Sequence, residues 1–137
     1  MVQQAAVHTA YLVDDSEVDL FIQKKFLELC AFAEKVVTFT SPVKALEVLQ
    51  SISFSEAPAL IFLDLNMPLI NGFEFLEKIE ALSNGISKKI KVVILSSSNS
   101  PADRLRAKEF PNVIHFFSKP LNMEELQSLM QSFKNAS

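Results

Sequence analysis

Five apolar runs alternate with five amphipathic stretches along this chain, the pattern of a parallel sheet with helices packed on its faces. The runs predict strands at Thr9 to Val13, Lys35 to Phe39, Leu60 to Leu63, Val92 to Leu95 and Val113 to Phe117. Leu60-Ile61-Phe62-Leu63 is apolar without alternation, which suits a strand buried on both faces in the middle of such a sheet. That run delivers Asp64 and then breaks at Pro68, so Asp64 is expected at the strand's carboxyl end. In open α/β sheets that edge is where ligands bind, because the loops there form a crevice where the strand order reverses.

Between the strands, apolar residues recur at spacings of three and four. The first helix, about Ser16 to Cys30, is expected to bury Val18, Ile22, Phe26 and Leu29, with Cys30 in or beside that contact. Ser41-Pro42 opens the second, with Ser41 as N-cap and a buried stripe of Val43, Leu46 and Leu49. The third follows Gly72, buries Phe73, Leu76 and Ile79, and ends at Ser83-Asn84-Gly85. Ser100-Pro101 starts a shorter fourth helix whose stripe, Ala102 and Leu105, is weak, which makes this helix the readiest to move. The fifth begins at a capping box, Asn122 with Glu125, and buries Leu126, Leu129, Met130 and Phe133.

Length then limits the organisation. A chain of 137 residues fits one domain, 1–137, with a core of about 9–133. The formal net charge of −3, with both signs interspersed, gives no footprint for nucleic acid. The short basic cluster Lys88-Lys89-Ile90-Lys91 reads as a solvated approach to a strand. Cys30 is the one cysteine, so an internal disulfide and a cysteine metal cluster are excluded. Neither a leader pattern nor a run long enough to span a bilayer is present, which gives the expectation of a soluble, cytoplasmic protein with no membrane partner.

The chemistry collects at one edge. Asp14 and Asp15 follow the first strand, Asp64 ends the third, Ser96 ends the fourth and Lys119 follows the fifth. Right-handed crossovers permit few strand orders. In the common doubly wound order 2-1-3-4-5, borrowed from folds of this class, strands one and three adjoin and bring Asp14 and Asp15 beside Asp64. Three carboxylates so placed repel one another unless some take up protons or a cation joins them. A hard divalent ion such as Mg²⁺ suits oxygen ligands, while the lack of a nearby histidine or cysteine argues against zinc. His8 and His115 fall away from the edge and read as structural or surface residues. With Lys119 as a cation and Ser96 as a donor, Asp64 can act as a nucleophile towards phosphorus, forming an acyl phosphate.

This ordered set resembles the receiver domain of two-component response regulators. The resemblance covers about Thr9 to Phe133 and rests on Asp14-Asp15, Asp64-Leu65-Asn66-Met67-Pro68 with Asn71-Gly72, Ile94-Leu95-Ser96-Ser97-Ser98, and Lys119-Pro120. It implies a flavodoxin-like (βα)5 fold, an α/β doubly wound parallel sheet of five strands. It implies Asp64 as phospho-acceptor from a sensor histidine kinase or a histidine phosphotransfer protein. Mg²⁺ would be held by the carboxylates of Asp15 and Asp64, the backbone carbonyl of Asn66 and, through water, Asp14. Lys119 would pair with Asp64, and the Lys119-Pro120 peptide would be cis. Ser96 would swing to a phosphoryl oxygen and Phe116 would move into the space vacated, a charge-driven switch read out by a downstream protein on the fourth helix, fifth strand and fifth helix. Kinase specificity would lie at Ser16, Val18, Asp19, Ile22, Pro120 and Leu121.

The chain departs from the commoner family pattern at three places. Ser96 stands where threonine is commoner, and Phe116 replaces the frequent tyrosine. Glu109-Phe110-Pro111-Asn112-Val113 lacks the usual glycine-containing turn, which leaves its path open. The favoured reading is a stand-alone receiver without an effector domain, a signalling module rather than an enzyme. Competing readings are a receiver-like adaptor that works without phosphorylation, a receiver excised from a hybrid kinase, and a haloacid-dehalogenase-like phosphatase. The last needs a second carboxylate two residues after the nucleophile, where this chain has Asn66.

Overall fold

A computed structural model describes residues 4–83, 85–98 and 100–135. Five parallel strands, β1 (Val7–Val13), β2 (Ala33–Phe39), β3 (Leu60–Asp64), β4 (Lys91–Ser96) and β5 (Val113–Ser118), form one sheet in the order β2-β1-β3-β4-β5. The expected order is therefore observed, with each strand extended by one or two residues beyond its apolar run. Among the described residues five α-helices alternate with them: α1 (Glu17–Leu29), α2 (Pro42–Ser51), α3 (Gly72–Glu80), α4 (Pro101–Ala107) and α5 (Met123–Asn135). α3 ends at Glu80 with its C-cap at Ala81, short of the expected Ser83-Asn84-Gly85, of which Asn84 lies outside the described residues.

Strand alternation divides the interior into two layers. Tyr11, Val13, Ile61, Leu63, Val92 and Ile94 pack against α2, α3 and Ala107 of α4. Ala10, Leu12, Leu60, Phe62, Val93 and Leu95 pack against α1 and α5, where Phe32 meets Phe62 and Phe133 edge-on. β3 is buried at all five positions, as its unbroken apolar run predicts, whereas the edge strands β2 and β5 are only half-buried.

Of the stripe expected on the first helix only Phe26 packs on the core, half-buried, with Cys30 just beyond the helix end. Val18, Ile22 and Leu29 are exposed, and α1 instead buries Leu20, Gln23 and Leu27. Both stripes have helical spacing, so periodicity alone does not choose between them. Two contacts go with this rotation. In the middle of α1 Gln23 turns inward, its amide donating to the Asp14 carboxylate 3.3 Å away. Beyond the C-terminal end Ala31, at φ 52°, closes a glycine-free Schellman turn in which Phe32 N–H donates to Leu27 O and Ala31 N–H to Glu28 O, burying Phe32.

Two further stripes need correction. On α2, Ala45 joins Leu46 and Leu49 inside while Val43 is half-buried. On α4, Ala102 and Leu105 are exposed and Ala107 is the buried residue, because the helix has only seven residues and rests on the sheet by its last turn. The glycine-free path after α4 is held by other means. Phe110 is buried against Phe73, ring centroids 6.1 Å apart, and the Asn112 side chain donates to the carbonyls of Ser87 and Ile90 at 2.7 and 2.8 Å. In the basic cluster, Lys89 donates to the carbonyls of Phe54 and Ser55, a structural rather than a binding role. No described helix is long and apolar enough to cross a membrane.

The turn from β3 into α3 brings backbone close to backbone at Gly72. A methyl group on Gly72 would lie 2.7 Å from Leu65 Cδ2, 2.8 Å from Leu65 Cα and 2.9 Å from the Asp64 carbonyl oxygen. Asn71 caps the helix, accepting from Glu74 N–H while Glu74 accepts from Asn71 N–H. Gly72→Ala should therefore cost about 1–3 kcal/mol in urea unfolding, since two of the three clashing atoms are backbone. In the same loop Leu69 has φ 70° and is 89 % exposed, so its side chain packs little while its backbone sits in the left-handed region. Leu69→Gly should raise stability by about 1 kcal/mol in the same assay.

Candidate functional site

The loops at the carboxyl edge of the sheet bring together side chains from four strand ends. The register pairs Val13 with Leu63 and Asp64 with Leu95, so Asp14 and Asp64 leave adjacent strands at nearly the same level. Asp14 is 1 % exposed and Asp64 5 %, while Asp15 and Asn66 stand at the solvent-facing rim. Asp14 is firmly placed. Its N–H donates to Phe39 O, its Oδ1 accepts from Ser16 N–H at 2.9 Å, and its Oδ2 accepts from Gln23 and from Lys119. Asp64 Oδ1 accepts from Asn66 N–H at 3.3 Å.

A cis peptide joins Lys119 to Pro120, as the family pattern implies, and the Lys119 N–H donates to Ser96 O at 2.8 Å. Its ammonium does not sit principally on Asp64. Lys119 Nζ is 2.8 Å from Asp14 Oδ2 and 2.9 Å from Asp19 Oδ2, but 3.6 Å from Asp64 Oδ1, an ion pair too long to be a hydrogen bond. Asp19 and Gln23 belong to the site through these contacts. The sequence reading missed Gln23 altogether and placed Asp19 only among docking candidates; the signal available was that both lie on the helix that starts at this edge.

Ser96 is fully buried at the end of β4. Its Oγ accepts from Ser98 N–H at 3.0 Å, Ser98 Oγ accepts from Ser100 N–H at 3.2 Å, and Ser100 Oγ caps α4 by accepting from Asp103 N–H. A line of serine hydroxyls thus runs from the site to the start of α4. Phe116 pairs in register with Ile94, so strand alternation puts it on the same sheet face as Ser96. Its ring is half-buried, with the Arg104 guanidinium 4.5 Å from the centroid and a hydrogen bond from Arg104 to Phe116 O. Phe117 packs into the opposite layer. Of the docking candidates, Val18, Ile22 and Pro120 are exposed, but Leu121 is buried and cannot present itself to a partner. His8 and His115 are exposed and away from this edge, His8 on Thr9 and His115 stacked on Phe117.

Burial and the neighbouring Asp14 charge push the Asp64 carboxyl up to about 6, against the opposing pull of Lys119 and the Asn66 N–H. Burial acts to lower the Lys119 ammonium, but its hydrogen bonds to Asp14 and Asp19 and the surrounding negative charge outweigh that and raise it. Asp14, Asp15 and Asp64 each offer a carboxylate oxygen within 4.8 Å of the others. Three carboxylates within reach of one another, offering only oxygen ligands, fit a hard divalent cation.

A family model described as the response regulator receiver domain matches residues 10–131. The two-component response regulator ORR1 of Oryza sativa subsp. japonica is 34 % identical over 122 residues, which cover 86 % of this chain and 52 % of that protein. The chain thus spans about half the length of that relative. A response regulator receiver protein from Dyadobacter fermentans is 33 % identical, with a TM-score of 0.80 over 92 % of this chain and 97 % of that one. The receiver domain of sensor histidine kinase PA1611 from Pseudomonas aeruginosa, solved with a magnesium ion coordinated in its active-site cleft, shares the fold at 18 % identity. Its TM-score is 0.74, over 92 % of this chain and 96 % of that one.

The raised Asp64 carboxyl sets a pH dependence. Between about pH 4 and pH 6 the folded chain holds a proton that the unfolded chain releases, so stability falls as pH rises through this window and stays lowered above it. Urea unfolding in the presence of a chelator should show a loss of order 2–3 kcal/mol across it. Asp64→Asn should flatten that slope and be the more stable protein at pH 7.5. Added Mg²⁺ should stabilise the unsubstituted chain more than the variant.

Proposed function

This chain belongs to the response regulator receiver family, and from that premise we propose that it accepts a phosphoryl group on Asp64 from a phosphohistidine. The observation that carries the reading is a buried carboxylate at the end of the central strand, with two more carboxylates within 4.8 Å and an ammonium at 3.6 Å. In the transfer an Asp64 carboxylate oxygen attacks phosphorus. The new P–O bond forms as the P–N bond to the donor imidazole breaks, and the electron pair stays on that nitrogen. Hydrolysis later reverses the modification: a water oxygen attacks phosphorus, the P–O bond to Asp64 breaks, and inorganic phosphate leaves.

Asp14, Asp15, Asp64 and Asn66 would hold magnesium, whose chemistry when bound is to spread the negative charge of the transferring group. The chain's own residues do the remaining work. Lys119 supplies a second positive charge, and Gln23 and Ser16 fix Asp14 so that it cannot turn away. Ser96 offers a hydroxyl to a phosphoryl oxygen. Taking it would remove the acceptor of Ser98 N–H and disturb the serine line that ends in the cap of α4.

The output surface in this reading is α4, β5 and α5, with Phe116 released from Arg104 as the ring turns inward. The phosphodonor is a sensor histidine kinase or a histidine phosphotransfer protein, docking beside the exposed Val18 and Ile22 of α1. We place this receiver domain in the cytoplasm, where its effect is a change of binding partner. The phosphatase reading is set aside, since family membership supports a signalling module and Asn66 is no acid.

Intact mass after incubation with a small-molecule phosphodonor and Mg²⁺ tests the proposal. One phosphoryl group should be gained, and the gain should vanish in Asp64→Asn and with chelator. No gain from either the small donor or a panel of phosphorylated histidine proteins would sink the reading and favour an adaptor that works unmodified.

A further inference from the structure

Lys119 is shared among three carboxylates that differ in how freely they can let it go. Asp14 is buried and tied by Ser16 N–H and the Gln23 amide, so it has no alternative position and no access to water. Asp64 is buried at the end of β3. Asp19 is different. Its side chain is 38 % exposed, and it sits in the first turn of α1, where the helix dipole favours a negative charge. Its backbone is fixed by the N–H that donates to Ser16 Oγ at 3.2 Å. Its carboxylate can therefore trade the ammonium for water at small cost.

We propose that Asp19 is a positioning residue that holds the Lys119 ammonium at the mouth of the site, 2.9 Å from itself and drawn away from Asp64, and yields it when a phosphoryl group arrives. The inference rests on Asp64 being the phospho-acceptor. Lys119 keeps its backbone in place through its N–H on Ser96 O, so the move is confined to the side chain. Asp19 then acts as a competitor. Part of the positive charge that would otherwise face the transferring phosphoryl oxygens is spent on a surface carboxylate until the transition state claims it. The device also joins α1 to the loop after β5, so whatever docks against the start of α1 touches the residue that holds the lysine.

Two measurements test this. With ¹⁵N-lysine-labelled protein and no phosphodonor, the Lys119 Nζ resonance should shift in Asp19→Asn and return in Asp19→Glu, which keeps the charge; an unshifted resonance overturns the proposal. With a small-molecule phosphodonor and Mg²⁺, Asp19→Asn should label about two- to fivefold faster, the factor that a half-exposed ion pair supplies, while Asp19→Glu stays near the unsubstituted rate. The acceleration should disappear in a Lys119→Ala background. A slower or unchanged Asp19→Asn, or the same acceleration without Lys119, overturns the role assigned to Asp19, because general relief of negative charge would then explain it. Failure of the unsubstituted chain to take any phosphoryl group strikes the receiver reading instead, and the lysine resonance, recorded without donor, still decides whether Asp19 holds Lys119.

Discussion

Two carboxylates out of water on neighbouring strands, with one ammonium between them, are the arrangement on which the rest of this molecule depends. Burying like charges side by side is costly, and the cost shows in the raised Asp64 carboxyl. A fold tolerates it only where the groups cannot drift apart. Here β1 and β3 are locked by parallel pairing up to Val13 and Leu63, with apolar layers on both sides. Gly72 then lets the start of α3 lie directly on the backbone of Asp64 and Leu65. A divalent cation at this edge would relieve a repulsion that the chain itself has built.

Rigidity is unevenly distributed around that centre. β3 is buried throughout, whereas β5 at the sheet edge is half-buried and α4 is anchored by Ala107 and the buried Phe110 that follows. Arg104 adds a second tie by lying over Phe116 and bonding to the β5 backbone and to Ser118 Oγ. Such ties are polar and partly solvated, so they are the ones that yield first when charge at the site changes. The site sits at the end of the buried part of the sheet, and a line of serine hydroxyls leads from it to the start of the lightly anchored α4.

The sheet was legible in the chain because its strands are short apolar runs with turn residues at their ends, and β3 above all has no polar residue before Asp64. Their order came from fold-class knowledge, since nothing in the residues themselves puts β1 between β2 and β3. The rotation of α1 was not legible. Val18, Phe21, Ile22 and Leu29 are as apolar as the residues actually buried, and one contact that goes with the buried face is polar, from Gln23 to an aspartate nine positions away. A hydrophobic pattern scores such a glutamine as solvent-facing. Asp14, Asp15, Asp64, Ser96 and Lys119 could be read because strand ends fix their level. Asp19 escaped for the same reason as Gln23, in that its place in the site depends on which way α1 is turned.

That rotation has a consequence for function. With Leu20, Gln23 and Leu27 inward, α1 must carry Val18, Phe21 and Ile22 outward beside the site, Phe21 beneath the Lys25 ammonium. Apolar side chains left facing water cost little singly, but grouped on one helix beside the acidic cluster they form a surface that gains by being covered. The same turn of α1 that brings Gln23 to Asp14 and Asp19 to Lys119 therefore sets the face a phosphodonor would meet. Electrostatic order inside the site and apolar exposure outside it follow from one helix phase. A change in that phase would alter both together.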